Sequence, residues 1–205
     1  MARVRIHFAK SGYACFISHV DMPMIFARAA RRAGLVPELT QGFSPRARLA
    51  LCPPLPVGVV GANEPADFWF AEWGRDSLER WNAFLPRGMY ITDAREVMGS
   101  DAPSLNKLCS AASYLFEPLR GADPAAIADF IESDLRGEGA FLAASVTDAS
   151  VSVVSSDLER CGPSFMVKRL VERGVISGWN SLAITRTAVG RWNAETGRVI
   201  SLTEG

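Results

Sequence analysis

Two short segments hold the residue types that could do chemistry. The first, Phe16-Ile17-Ser18-His19-Val20-Asp21, leads an imidazole and a carboxylate into a helical pattern. His19 is the candidate for catalysis, because an imidazole can act as general acid or base near neutral pH. The second segment is Gln41-Gly42-Phe43-Ser44-Pro45-Arg46-Ala47-Arg48. Gly42 permits a tight bend, Phe43 falls at the tip of the loop, and Arg46 and Arg48 share one strand face. An exposed aromatic beside paired arginines can hold a base and its phosphate. The competing expectation is that Phe43 plugs the core and the arginines face solvent. His19, Asp21, Gln41, Phe43, Ser44, Arg46 and Arg48, with Arg32 from the intervening helix, form the candidate binding set.

These residues need elements to position them. Residues 3 to 8 alternate, Arg3, Arg5 and His7 on one face and Val4, Ile6 and Phe8 on the other, which predicts a half-buried strand with a basic outer row. A helix is expected from Asp21 to Ala33, stopped by Gly34. Its apolar arc carries Met22, Phe26, Ala29, Ala30 and Ala33, and Arg28, Arg31 and Arg32 lie roughly opposite. Ser18 with Asp21 could form a capping box, but Pro23 argues for Asp21 as the cap. With Asp21 as cap, Pro23 stands at the second helical position, where its missing N–H costs nothing. His19 then stays in the preceding loop.

Strands are expected at 36–40 and 46–52, at 66–73 and at 89–97, with a helix at 76–85. Trp69 and Trp73 read as core or interface residues. The second half repeats the order: strand 111–119, helix 124–135, a hairpin of 140–146 and 150–155 around Thr147-Asp148-Ala149, helix 163–173 and strand 181–189. Each half approximates β-α-β-β-α-β, the first with one extra strand. The expected fold is therefore α+β, two tandem ferredoxin-like halves with antiparallel sheets. They occupy residues 1–100 and 101–205, with the seam near Gly99–Pro103.

Over 205 residues the formal net charge is zero, which excludes a uniformly basic nucleic-acid coat. The balance is nevertheless uneven. Residues 1–50 hold eight basic residues against Asp21 and Glu38, a surplus of +6; residues 51–104 carry −4 and the remainder −2. Arginine supplies 19 of the 22 basic residues, and its planar fork suits phosphate and carboxylate. A 48% hydrophobic composition excludes a disordered chain.

Cys15, Cys52, Cys109 and Cys161 lie 37, 57 and 52 residues apart, too scattered for a zinc knuckle or an iron–sulfur cluster, so no metal and no cofactor is expected in this chain. Free cysteines at this density fit a reduced compartment. No signal-peptide pattern opens the sequence, and no apolar run approaches the roughly 20 residues that span a bilayer. A cytoplasmic protein without a membrane partner is expected. Phosphate-loop, dinucleotide-binding, nucleophile-elbow and zinc-protease motifs do not occur.

The stretch VRIHFAKSGYACFISHVDMPMIFARAARRAGLVPELTQGFSPRARLALCPPLPVGV resembles the opening of the radical-SAM-linked protein family, a bacterial domain of unknown function. The motifs that carry the resemblance are Phe16–Asp21, Arg31–Leu35, Gly42–Pro45 and Pro54–Val59. It departs from the family's GFNPHP-like turn in having Ser44, Arg46 and Ala47 where the family has Asn, His and the second Pro. Members are encoded beside, or fused to, a radical S-adenosylmethionine enzyme. The resemblance implies a cytoplasmic bacterial protein that works with such an enzyme. This chain lacks that enzyme's three-cysteine motif, so the partner would be a separate polypeptide.

The reading that unites these features is a non-catalytic accessory protein that binds RNA or another anionic substrate through its N-terminal half. One alternative is a metal-independent endoribonuclease, with His19 as general acid or base and Arg46 stabilising the charged transition state; it rests on analogy of fold. The other is a pure protein-interaction adaptor.

Overall fold

The computed structural model describes residues 1–99, 102–119, 121–135, 139–147 and 149–202, and the alternation at the start of the chain becomes β1 (Ala2–Lys10). Two compact units divide the sequence, Met1–Lys107 and Leu108–Gly205. Part of the expected seam, residues 100 and 101, lies outside the described residues, as does Asp148 of the expected hairpin turn.

In the first unit β1 is followed by α1 (Met22–Arg32), β2 (Leu49–Leu51), β3 (Val60–Phe70), α2 (Ser77–Asn82) and β4 (Met89–Glu96). β1 pairs antiparallel with β3 on one side and with β4 on the other, and β2 pairs antiparallel with β3, an order of β4-β1-β3-β2. Both helices cover one face. There Val4, Ile6 and Phe8 of β1, Phe68 and Phe70 of β3 and Ile91 of β4 pack against Met22, Phe26 and Ala30 of α1 and Trp81 of α2. Phe26 is the hub, edge-on to Phe8, Phe68 and Trp81 at centroid separations of 5.0, 5.3 and 5.8 Å. The Trp81 indole N–H donates to the carbonyl of Phe26 at 3.2 Å, so the buried ring loses no hydrogen bond.

α1 stops where the glycine predicts. Gly34 has φ +73°, its N–H donates to the carbonyl of Arg31, and the N–H of Leu35 reaches back to Ala30. That pair of bonds closes the last turn and needs a left-handed residue between them. The expected strands at 36–40 and 46–52 are reduced to isolated bridges, Pro37 with Phe70 and Leu39 with Ala47, plus the three-residue β2. Pro37 lacks a ladder N–H, and Pro45 and Pro53 bracket the return segment.

A one-turn α3 (Leu105–Leu108) stands at the division of the sequence, and the second unit contains β5 (Ala111–Pro118), α4 (Pro124–Leu135), β6 (Phe141–Thr147), β7 (Ser150–Ser156), α5 (Pro163–Glu172), β8 (Leu182–Asn193) and β9 (Arg198–Ser201). Its antiparallel order is β8-β5-β7-β6, with β9 on the end of β8. Tyr114, Phe116, Ile127, Ile131, Val153 and Leu170 are fully buried there. Asp134 of α4 accepts from Arg169 and, at 2.8 Å, from Arg173, both of which stand at the end of α5. β9 adds a strand beyond those the sequence pattern predicts. It pairs where Gly190 has no side chain: a Cβ at that position would come within 1.9 Å of the Ile200 carbonyl oxygen.

The architecture is mixed α+β with mostly antiparallel sheet. No described helix is long and apolar enough to cross a membrane. All four cysteines are buried and outside any disulfide.

Candidate anion-binding site

The approach to α1 is tied down at both ends. Lys10, at the end of β1, donates through Nζ to the carbonyl of Ile17 at 3.2 Å. Four residues later α1 begins after Asp21, with Pro23 in its first turn, as the proline argued. The Asp21 carboxylate makes no capping bond to the helix. It accepts instead from the Ser18 hydroxyl at 2.7 Å, and the Asp21 N–H donates back to the Ser18 oxygen at 3.3 Å. His19 is half-buried in this loop.

The second segment is an irregular hairpin with a firm base and an open tip. At the base the Arg48 N–H donates to Glu38 at 2.7 Å, the Thr40 N–H donates to Arg46 at 2.8 Å, and the Arg46 N–H donates to the Thr40 hydroxyl at 3.1 Å. Gln41, Phe43 and Ser44 are exposed at the tip, Phe43 fully so. The aromatic therefore does not plug the core.

Arg46 and Arg48 part ways. The Arg48 guanidinium bonds both Glu38 carboxylate oxygens, at 3.2 and 3.3 Å, and lies 4.5 Å over the Trp69 ring. Arg3, opposite Trp69 in the β1–β3 register, lies 5.5 Å from the same ring. Two arginines thus hold one indole by cation–π contact, and the N–H of Trp69 donates to the Arg48 carbonyl at 3.3 Å. Arg48 braces the hairpin, while Arg46 is left to reach toward α1.

A cleft of about 560 Å³ lies between the start of α1 and the return arm of the hairpin. Val20, Pro23, Met24, Ala27, Pro45 and Ala47 give it an apolar lining, and Arg28, Arg31 and Arg46 supply charge. Asp21 is the acidic residue among those lining it. The structure thus joins Asp21 from the first sequence segment to Arg46 from the second. His19, Arg32, Gln41, Phe43, Ser44 and Arg48 do not line the cleft, although Phe43 and Ser44 adjoin Pro45 in the chain. Among the described residues no side-chain hydrogen bond or ion pair engages the guanidinium of Arg28, Arg31, Arg32 or Arg46. Unpaired arginine forks beside an apolar wall can take phosphate or carboxylate.

Arg28 and Arg31 were legible as the polar arc of α1 but not as partners of Arg46, because periodicity fixes a face and not its neighbour. The opposite face of the sheet corrects another expectation. The basic outer row of β1 is not a solvent-exposed row: Arg5 and His7 are buried, and Arg3 is partly so. The reason is Asp67 on β3, itself fully buried, which accepts from Arg5 at 2.8 and 3.0 Å and from Arg3 at 2.6 and 3.1 Å. Charges leave water only when compensated in this way. Among the described residues neither ring nitrogen of His7 has a hydrogen-bond partner, and a carboxylate oxygen of Asp93 lies 4.0 Å from Nδ1. Burial pushes its pKa from 6.5 down to about 4, Asp93 working against the shift and Arg95 and Arg5 with it. Among the described residues no cluster of three or more His, Cys, Asp or Glu could hold a metal ion.

A family model described as an uncharacterized protein conserved in bacteria (DUF2344) matches residues 3–150. No curated protein matches the sequence. Among solved structures, one described as a "putative glycine cleavage system transcriptional repressor" aligns at 6% identity over 90% of this chain and 98% of that chain, with a TM-score of 0.25. That likeness is too slight to carry an argument.

Proposed function

Because the chain belongs to the DUF2344 family of uncharacterized bacterial proteins, whose description assigns no activity, we propose its function from its own geometry: it is an accessory protein that holds an anionic ligand, RNA foremost, in the cleft between α1 and the 40–48 hairpin. The observation that carries this reading is the convergence of Arg28, Arg31 and Arg46 on one cleft with no side-chain partner. Three guanidinium groups against the single carboxylate of Asp21 leave the cleft with a positive surplus, and the raised local potential favours a polyanion. Three of the eight basic residues behind the +6 balance of residues 1–50 line this cleft.

The resemblance to radical-SAM-linked proteins supplies the partner, a separately encoded radical enzyme in the cytoplasm. Exposed Tyr13, Phe16 and Val57 offer apolar surface on the same unit for such a contact. The strand orders β4-β1-β3-β2 and β8-β5-β7-β6, each with β-α-β-β-α-β succession, support reading the two units as tandem ferredoxin-like halves. Cleavage by His19 draws less support, since the cleft is lined by arginines and Asp21 rather than by the imidazole.

The test is binding of total tRNA or rRNA fragments to the purified protein across a salt series. Three phosphate contacts to a single strand would lower affinity on the order of twentyfold between about 50 and 200 mM salt. Arg28→Glu with Arg46→Glu should remove that binding while the protein stays folded, since both side chains are exposed. Absence of salt-sensitive binding would end the proposal.

A further inference from the structure

Resting on the anion-binding reading, we infer that the strand held in this cleft is unpaired, one nucleotide lying against the apolar lining and a neighbouring base stacked on Phe43. Two independent observations point there. A volume of about 560 Å³ is in the range that encloses one small ligand rather than a duplex. Its wall is mixed: Met24, Ala27 and Pro45 offer apolar contact, and Arg28, Arg31 and Arg46 stand among them. A free inorganic anion has no use for the apolar part, whereas a nucleotide presents a π-face and a phosphate together.

The second observation is Phe43. It stands fully exposed two residues before Pro45, on a hairpin whose base is held by Arg48, Glu38 and Trp69. A large aromatic left entirely in water costs free energy that burial elsewhere would recover. At the tip of a braced loop, beside unpaired arginines, it is placed to receive a base. In a duplex the bases are already stacked on one another, so such a contact requires an unpaired strand. Stacking on Phe43 and arginine–phosphate contacts make no use of a 2′-hydroxyl, so DNA and RNA strands of the same sequence should bind comparably.

The experiment is fluorescence anisotropy on the full chain with a labelled twelve-residue RNA strand, the same strand annealed to its complement, and the matching DNA strand, all at one low salt concentration. The RNA strand should bind about tenfold more tightly than the duplex, with the DNA strand close to it, and Phe43→Ala should weaken strand binding by about five- to tenfold, the low end of one lost stack, bringing it close to the duplex. Phe43→Trp should restore it. Equal affinity for strand and duplex, or a preference indifferent to Phe43→Ala, overturns the unpaired-strand inference while leaving a general anion site in place. Loss of all salt-sensitive binding overturns both it and the reading on which it rests.

Discussion

His7 is a titratable group sealed in the sheet of the first unit, with neither ring nitrogen hydrogen-bonded. Its pKa in the fold, about 4, lies below the ordinary 6.5, so the unfolded chain takes up a proton first as pH falls. Stability from this residue is therefore complete above pH 6.5 and is lost as pH drops toward 4, a change on the order of 3 kcal/mol. Denaturant unfolding at several pH values should show this loss, and His7→Phe, which fits the same space without a titratable ring, should flatten it. A variant that keeps the wild-type pH dependence would show that other groups carry it. Asp67→Ala acts in the opposite sense. It strands the buried Arg5 guanidinium without its carboxylate, and the expected cost is about 3–5 kcal/mol at neutral pH, read from the same unfolding curves. At this scale the sequence showed the alternation of β1 but not the meaning of its polar side. Asp67 stands more than sixty residues from Arg3 and Arg5, and nothing local records that the three share one carboxylate.

Elements, not single residues, present the cleft. α1 brings Arg28 and Arg31 one turn apart on its outer face, and the hairpin brings Arg46 across from them. The hairpin has little ladder of its own, so its aim depends on Arg48 between Glu38 and Trp69. Trp69→Ala removes the ring that Arg3 and Arg48 share, and should weaken ligand binding through Arg46 without touching the ligand. The expected signature is a several-fold loss of affinity with an unaltered salt slope, because the number of phosphate contacts stays the same while their placement loosens. A changed slope would instead make Arg48 or Arg3 a direct contact. α1 was the most legible element: apolar spacing, Pro23 and Gly34 mark its face, start and stop. The hairpin was the least legible, since residues 36–40 and 46–52 have strand-like composition but, with Pro37 in the outgoing arm and much of the segment exposed, form only isolated bridges and the three-residue β2. β9 escaped notice for a different reason: its pairing needs the bare backbone of Gly190, a tertiary approach that composition does not reveal.

For the whole molecule, the α+β class followed from the alternation of strand and helix patterns, and the charge map followed from simple counting. Net charge alone would have turned attention away from polyanions. Resolved by segment, it leads to residues 1–50 and from there to a single cleft. What counting could not supply was the division of labour among arginines of the same segment. Arg3 and Arg5 are occupied by Asp67 and Arg48 by Glu38 and Trp69, Arg32 points outside this lining, and Arg28, Arg31 and Arg46 line the cleft. The most direct measurement of this account is the salt dependence of single-stranded RNA affinity for the wild-type chain and for Arg28→Gln/Arg31→Gln/Arg46→Gln. If those three guanidinium groups meet three phosphates, the slope of log affinity against log salt should be shallower in the variant by about 2. An unchanged slope in a folded variant would contradict the assignment of the cleft.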